Sequence, residues 1–316
     1  MKDAALEEVV DSLDRLIAAT PEWDGLRPYR SLRARLELQR DWIGRGARPL
    51  TLGPTRGGRD LPAFRIGPTT GPVSVLMAGI HALEWIGVEV LERIVDEMLE
   101  HGVDREVVVV PIVNLDGFAL VDGDLRTGRR AIRRANPSGV DLNRNWPTFH
   151  APATSLVTRF LPAIGGTGSG PASEPEVAGI LRLLDAIVAE GRTIDRALSL
   201  HSFGRMILVP WGGRLGPPDA ALFAAARTIQ SAIPLWYGVR QISWWLPGHR
   251  VPGMEVDHLH ARYGAQALLV ECSLGGISPF RMGSWLHPFR WYNPPDPSRE
   301  VEALTPALRQ FVTARH

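Results

Sequence analysis

Cysteine is almost missing: Cys272 is the one cysteine in 316 residues, so no internal disulfide can form. That fits a reducing compartment. An excess of charge of one sign is also missing. Thirty-five Lys and Arg stand against 34 Asp and Glu, a net charge of +1. This speaks against a basic nucleic-acid-binding surface and against an acidic solvating tail. No apolar run reaches the roughly 18 residues of a membrane span. The start, MKDAALEEVVDSLDRL, carries acidic residues where a signal peptide has a basic run and an apolar core, so a cytoplasmic location is expected. There is no internal repeat, low-complexity tract or long linker. What remains is 45% hydrophobic and 22% charged, ordinary for a globular chain of one large domain or two smaller ones.

Leu6, Val9, Val10, Leu13, Leu16 and Ile17 share a helical stripe over residues 3–19, ended by Thr20-Pro21. A second helix is expected around 28–43, with Tyr29, Leu32, Leu36 and Trp42 inward. The expected division is a helical extension at residues 1–45, with no chemistry of its own, and one domain at 46–316. In the latter, strands are expected at 63–67, 74–80, 107–113, 197–200, 207–210 and 267–271. The run VVVVPIV at 107–113 suits a strand buried on both faces. Helical patterns at 84–100, 174–190, 218–232 and 299–314 lie between them. Alternation of this kind predicts an α/β fold: a mixed, mainly parallel, twisted sheet with helices on both faces. Sites in such sheets form beyond the carboxyl ends of strands.

Four features carry chemistry. His81 and Glu84 stand three apart where an apolar strand meets a helix, an arrangement that can aim an imidazole nitrogen and a carboxylate oxygen at one Zn²⁺ ion. The same pair could be a capped helix with a surface Glu. His201 ends the strand ALSL, as a site residue or as a hydrogen-bonded core histidine. Glu271 ends ALLVE; a carboxylate there must be paired with an arginine, solvated in a cleft, or working. Asn143 and Arg144, in GVDLNRNW, can hold a carboxylate or form a surface ion cluster.

HALEW, NLDG at 114–117, RRANPSGVDLNRNW, SEPE at 173–176, HSF and the strand-terminal Glu271 occur in one order. In words and order they resemble the zinc carboxypeptidase family that includes carboxypeptidase A, over roughly residues 48–285. The spacing agrees: 120 residues from His81 to His201 and 70 from His201 to Glu271. The resemblance implies His81, Glu84 and His201 as ligands of one Zn²⁺ per chain. Asp141 would orient the first zinc histidine. Glu271 would be the general base, taking a proton from water and passing it to the leaving amine. Arg134 would stabilise the oxyanion; Arg133 is the alternative, and the Arg-x-Asn pattern favours Arg134. Asn143 and Arg144 would bind a substrate's terminal carboxylate. NLDG reads as a turn after the buried strand, and Glu174 as a helix start.

The chain departs from the family in places. Twenty-two residues before Glu271, where the family has a substrate-capping tyrosine, stands His249, either a hydrogen-bond donor to substrate or an exposed loop residue. Fifteen before Glu271, at the specificity position, stands Val256, which argues against a pocket for Lys or Arg. Glu255 and Asp257 flank it, and a slip of one residue would reverse that conclusion. Leu83 stands where the family often has Arg, and Phe203 where Tyr is common. The compact RRANPSGVDLNRNW resembles short bacterial members that cut cell-wall peptides. The expected reaction is hydrolysis of the C-terminal peptide bond of a peptide, or a peptide-like small molecule, with a free carboxylate. The alternative is a zinc amidohydrolase acting on a small acylated amino acid or biosynthetic intermediate. No nucleic acid or membrane partner is expected, and the oligomeric state stays open.

Overall fold

The structure is a computed structural model that describes residues 2–152, 165–217, 219–245, 250–276 and 285–314. One eight-stranded sheet organises it, in the order β1-β2-β4-β3-β5-β8-β6-β7. The strands are β1 (Arg48–Pro54), β2 (Asp60–Ile66), β3 (Val73–Ala78), β4 (Glu106–Val110), β5 (Ile194–His201), β6 (Met206–Val209), β7 (Gly238–Gln241) and β8 (Gln266–Glu271). The central four, β4, β3, β5 and β8, are parallel. β2 and β6 run antiparallel to their inner neighbours. The mixed, mainly parallel sheet expected from the sequence is therefore present.

Helices cover both faces. These are α3 (Trp85–His101), α4 (Leu115–Arg126), α5 (Pro175–Ala189), α6 (Ala220–Ala232), α7 (Glu255–Tyr263) and α8 (Ser298–Thr313). α3, α8 and α6 form one layer, in which α8 packs on both of the others. α5 and α7 are joined by the Tyr263 hydroxyl, which donates to Asp185 at 3.0 Å. Water is excluded from both sides, so the inner strands need no polar alternation; every residue of β3 and β4 is buried. Pro111 has no N–H to extend the β4 ladder, so the strand stops at Val110 although VVVVPIV continues.

α1 (Lys2–Ala19) and α2 (Leu32–Gly44) pack against the β1–β2 edge and α4. The α1 stripe is only partly covered: Leu13 is buried, while Leu6 is exposed. α2 starts at Leu32 because the Ser31 side chain caps Ala34 N. Tyr29 lies before the helix, and its hydroxyl donates to Pro294 O at 2.8 Å. On α2, buried Arg35 bonds Glu92 of α3 at 2.6 Å and also pairs with Glu89. Its guanidinium carbon lies 5.4 Å from the Trp85 ring centroid and 5.7 Å from that of Phe118. Among the described residues, no helix is long and apolar enough to cross a membrane.

β1, β7, α4 and α7 were not anticipated, nor were the short helices Ile242–Trp245 and Pro288–Tyr292. NLDG is the start of α4 rather than a free turn. Asn114 Oδ1 accepts from Gly117 N at 3.0 Å, and a Cβ on Gly117 would lie 2.6 Å from that same oxygen. α7 holds Val256, the residue at the expected specificity position, in the core with no exposed surface.

Candidate functional site

The site lies where β3, β5 and β8 end. After β3, Gly79 takes φ +63°, and the chain turns through His81 to α3. Glu84 N bonds His81 O at 3.1 Å, which closes the corner and sets both side chains on one side. Asn293, 208 residues beyond Trp85, clamps this corner: its Oδ1 accepts from Trp85 N (2.9 Å) and Ile86 N (3.0 Å), and its Nδ2 donates to Leu83 O (2.7 Å). His201 closes β5 and pairs across the ladder with Glu271, the last residue of β8.

One ligand atom from each of His81, Glu84 and His201 lies within 4.8 Å of the others, and all three residues are buried. His81 Nδ1 is 2.9 Å from Glu84 Oε1, His201 Nδ1 is 3.0 Å from Glu84 Oε2, and the two Nδ1 atoms are 3.1 Å apart. The far nitrogens are also occupied. His81 Nε2 is 3.1 Å from Asp141 Oδ1, and His201 Nε2 is 2.9 Å from Glu255 Oε1 and 3.0 Å from Ser199 Oγ. Arg134 donates from Nε to Asp141 Oδ2 (3.0 Å) and from NH1 to Glu84 Oε1 (3.2 Å). Arg133 points away to Asp124, so Arg134 is the arginine the fold brings to the site.

Burial works against charge on Glu84, but His81 and His201 outweigh it and hold its carboxyl well below the usual range. Burial likewise opposes ionised Asp141, and Arg134, His81 and Arg144 overcome it. Burial disfavours the His201 cation, yet the Glu255 and Glu84 carboxylates push its imidazole up to about 10. At Glu271 the His201 and Arg134 charges favour the carboxylate but do not outweigh burial. Burial, then the Glu84 charge, raise its carboxyl to about 8, and its Oε2 has no partner among the described residues. Four buried carboxylates (Glu84, Asp141, Glu255, Glu271) thus face two guanidiniums (Arg134, Arg144). Protons on His201 and Glu271 balance these charges, and a divalent cation held by His81, Glu84 and His201 would take over that role.

Asn143 and Arg144 follow Asp141 in a single turn, Leu142–Arg144. Arg144 N donates to Asp141 O at 2.9 Å. The Arg144 guanidinium bonds its neighbour Asn143 O at 2.6 Å and, among the described residues, no carboxylate.

A model described as zinc carboxypeptidase matches residues 45–270. The chain belongs to the zinc carboxypeptidase family. It is 29% identical over 178 residues to carboxypeptidase O of Bos taurus, covering 51% of this chain and 46% of that protein. It is 26% identical over 253 residues to carboxypeptidase A1 of Sus scrofa, covering 74% of this chain and 53% of that protein. The chain thus spans about half the length of the curated relatives it matches. In fold it is similar to the carboxypeptidase A of Helicoverpa armigera, with TM-score 0.69, 19% identity, and coverage of 97% of this chain and 78% of that one. It is also similar to the murein-tripeptide amidase of Escherichia coli O157, with TM-score 0.52, 18% identity, and coverage of 85% and 92%.

Zinc carboxypeptidases use zinc, and the donors here suit it. Two imidazole nitrogens and a carboxylate are an ordinary catalytic zinc set. A tetrahedral ion with bonds of about 2.0–2.1 Å to nitrogen would hold two such atoms about 3.3 Å apart, close to the 3.1 Å separation of the Nδ1 atoms. Sequence reasoning missed Asn293 and Ser202, whose N–H donates to Glu84 Oε2 at 3.1 Å. It named Glu255 only as a flank of Val256. His249 lies outside the described residues. His258 and His260 are held by Thr148 and by Ala265 O, as structural histidines are.

Proposed function

We propose that the protein removes the C-terminal residue of a peptide that has a free carboxylate. The observation that carries this is Arg144, a guanidinium with no carboxylate hydrogen-bond partner among the described residues, three residues beyond Asp141, which itself contacts the metal-side His81. Its uncommitted N–H donors can take a substrate carboxylate, and Asn143 adds an amide. Asn143 Oδ1 already accepts from Glu255 N at 3.1 Å, so its NH₂ end is the one left for substrate.

In this reading His81, Glu84 and His201 hold Zn²⁺, and Asp141 fixes the His81 ring. When bound, zinc supplies Lewis acidity that polarises a carbonyl and acidifies water. Arg144 and Asn143 anchor the terminal carboxylate and so set the last peptide bond over the centre. Glu271 Oε2 accepts the proton of the attacking water and returns it to the leaving amine nitrogen. The metal's charge favours the ionised Glu271 that this needs. Arg134, with its NH2 unpaired among the described residues, donates to the oxyanion.

The test is mass spectrometry of matched free-acid and C-terminally amidated peptides, with cell-wall peptides in the same mixture. Single-residue loss from free acids alone is expected. Cleavage of amidated peptides at equal rate would overturn the exopeptidase reading. Hydrolysis of small acylated amino acids instead of peptides would establish the amidohydrolase alternative.

A further inference from the structure

Both imidazoles at the centre are held from behind. His81 turns Nδ1 to Glu84 and Nε2 to Asp141, and His201 turns Nδ1 to Glu84 and Nε2 to Glu255. A neutral imidazole that gives one nitrogen to a cation carries its proton on the other. His201 Nε2–H therefore has two acceptors, Ser199 Oγ at 3.0 Å and Glu255 Oε1 at 2.9 Å. The charged acceptor makes the stronger bond.

Resting on the zinc reading above, we propose that Glu255 is a positioning residue of the metal centre, fixing the tautomer and ring plane of His201 as Asp141 fixes those of His81. Glu255 opens α7, and its own N–H is tied to Asn143 Oδ1 at 3.1 Å. Its neighbours cannot replace it. Val256 is packed in the core, and Asp257 accepts from Gly212 N and Gly213 N. Glu255 is fully buried, and its Oε2 has no partner among the described residues. A buried carboxylate held this way is costly in an uncharged setting. Arg144 offsets part of that cost, and a divalent ion held by His81, Glu84 and His201 would offset more.

The inference predicts weaker zinc binding without a change of fold. Zinc affinity of the full chain would be measured by competition with a chromophoric chelator for wild type, E255Q, E255A, S199A and D141N. E255A should weaken zinc about 10–100-fold, in the range of D141N. E255Q keeps an acceptor and loses the charge, so it should fall between wild type and E255A; it also carries the test if E255A does not fold. S199A should change affinity far less. In zinc-loaded protein with ¹⁵N-labelled histidine, the His201 Nε2 signal should move in E255Q and stay in place in a distant surface variant.

Wild-type affinity in E255A and E255Q would overturn the proposal, as would S199A alone reproducing the E255A loss. Unchanged zinc affinity with an altered preference for basic C-terminal residues would overturn it too, and would make Glu255 a substrate contact. If wild type itself binds no zinc, the metal reading fails and this one with it. If wild type binds zinc and the Glu255 variants match it, only this proposal fails.

Discussion

Asn143 joins the carboxylates behind the two histidines: its N–H donates to Asp141 Oδ1 at 2.9 Å, and its Oδ1 accepts from Glu255 N at 3.1 Å. The residue proposed to greet a substrate carboxylate is thus part of the frame around His81 and His201. On that proposal, binding of the substrate end and the shape of the metal centre would share one support.

Arg144→Ala should separate substrate recognition from that frame. Its backbone N–H stays bonded to Asp141 O, so the turn survives. Losing a charge-assisted contact of about 1.5–3 kcal/mol should lower kcat/KM for free-acid peptides roughly 10- to 100-fold. Any slow turnover of amidated peptides should be unaffected. Steady-state kinetics on the matched pair decides it; equal losses on both would show that Arg144 acts through structure.

Glu271→Gln should leave the fold and zinc stoichiometry intact, because Glu271 is not among the three converging donors. Turnover should drop about 10²- to 10⁴-fold, the usual contribution of a general base. Metal analysis alongside single-turnover rates checks this, and near-wild-type rates would remove Glu271 from the proton-transfer role.

Removing zinc should lower the thermal midpoint. An ion that binds only the folded state contributes about 2.7 kcal/mol of linkage at 100 times its Kd. Calorimetry with and without a chelator measures it. Adding back zinc should restore the midpoint; a midpoint indifferent to zinc would show that no ion is held in the folded state.

Asp257 gives a pH signature away from the zinc donors. Burial raises its carboxyl to about 6; Glu255 pushes in the same direction, while the Gly213 and Gly212 N–H groups and His260 oppose it. The folded state then binds this proton more tightly than the unfolded chain, whose carboxyl titrates near 3.9. The stability it contributes is present below about pH 4 and is lost as pH rises through about 6. Asp257→Asn should flatten that part of the stability–pH curve. Urea unfolding between pH 4 and 7 shows it, and parallel curves for the two proteins would contradict the shift.

The metal donors were legible because each sits at a junction that sequence patterns mark. His81 and Glu84 stand at a strand-to-helix corner, and His201 and Glu271 end apolar strands. Glu255 was not legible in its role. It lies 54 residues from His201, and only the start of α7 turns it toward that ring. Asn293 sits in a proline-rich stretch with no local signal, and its purpose exists only across the fold. α4 was hidden by Gly117 and Gly123, residues that sequence reasoning takes as helix breakers. Gly117 is there because its missing side chain makes room for Asn114. β1 was hidden by Pro49, Gly53 and Pro54, which an edge strand tolerates.

Arg35 has a further consequence. It is the positive charge between Glu89 and Glu92 and lies over the face of Trp85, the residue that follows Glu84. A chain cut where the family match begins, at residue 45, would leave two buried acids of α3 without Arg35 and take away the guanidinium that lies over the indole beside the metal corner. The stretch that matches the family and the stretch that these contacts tie together therefore have different edges. The leading helices are a foundation laid under the catalytic corner, and a shortened protein should lose its shape before it loses a step of chemistry.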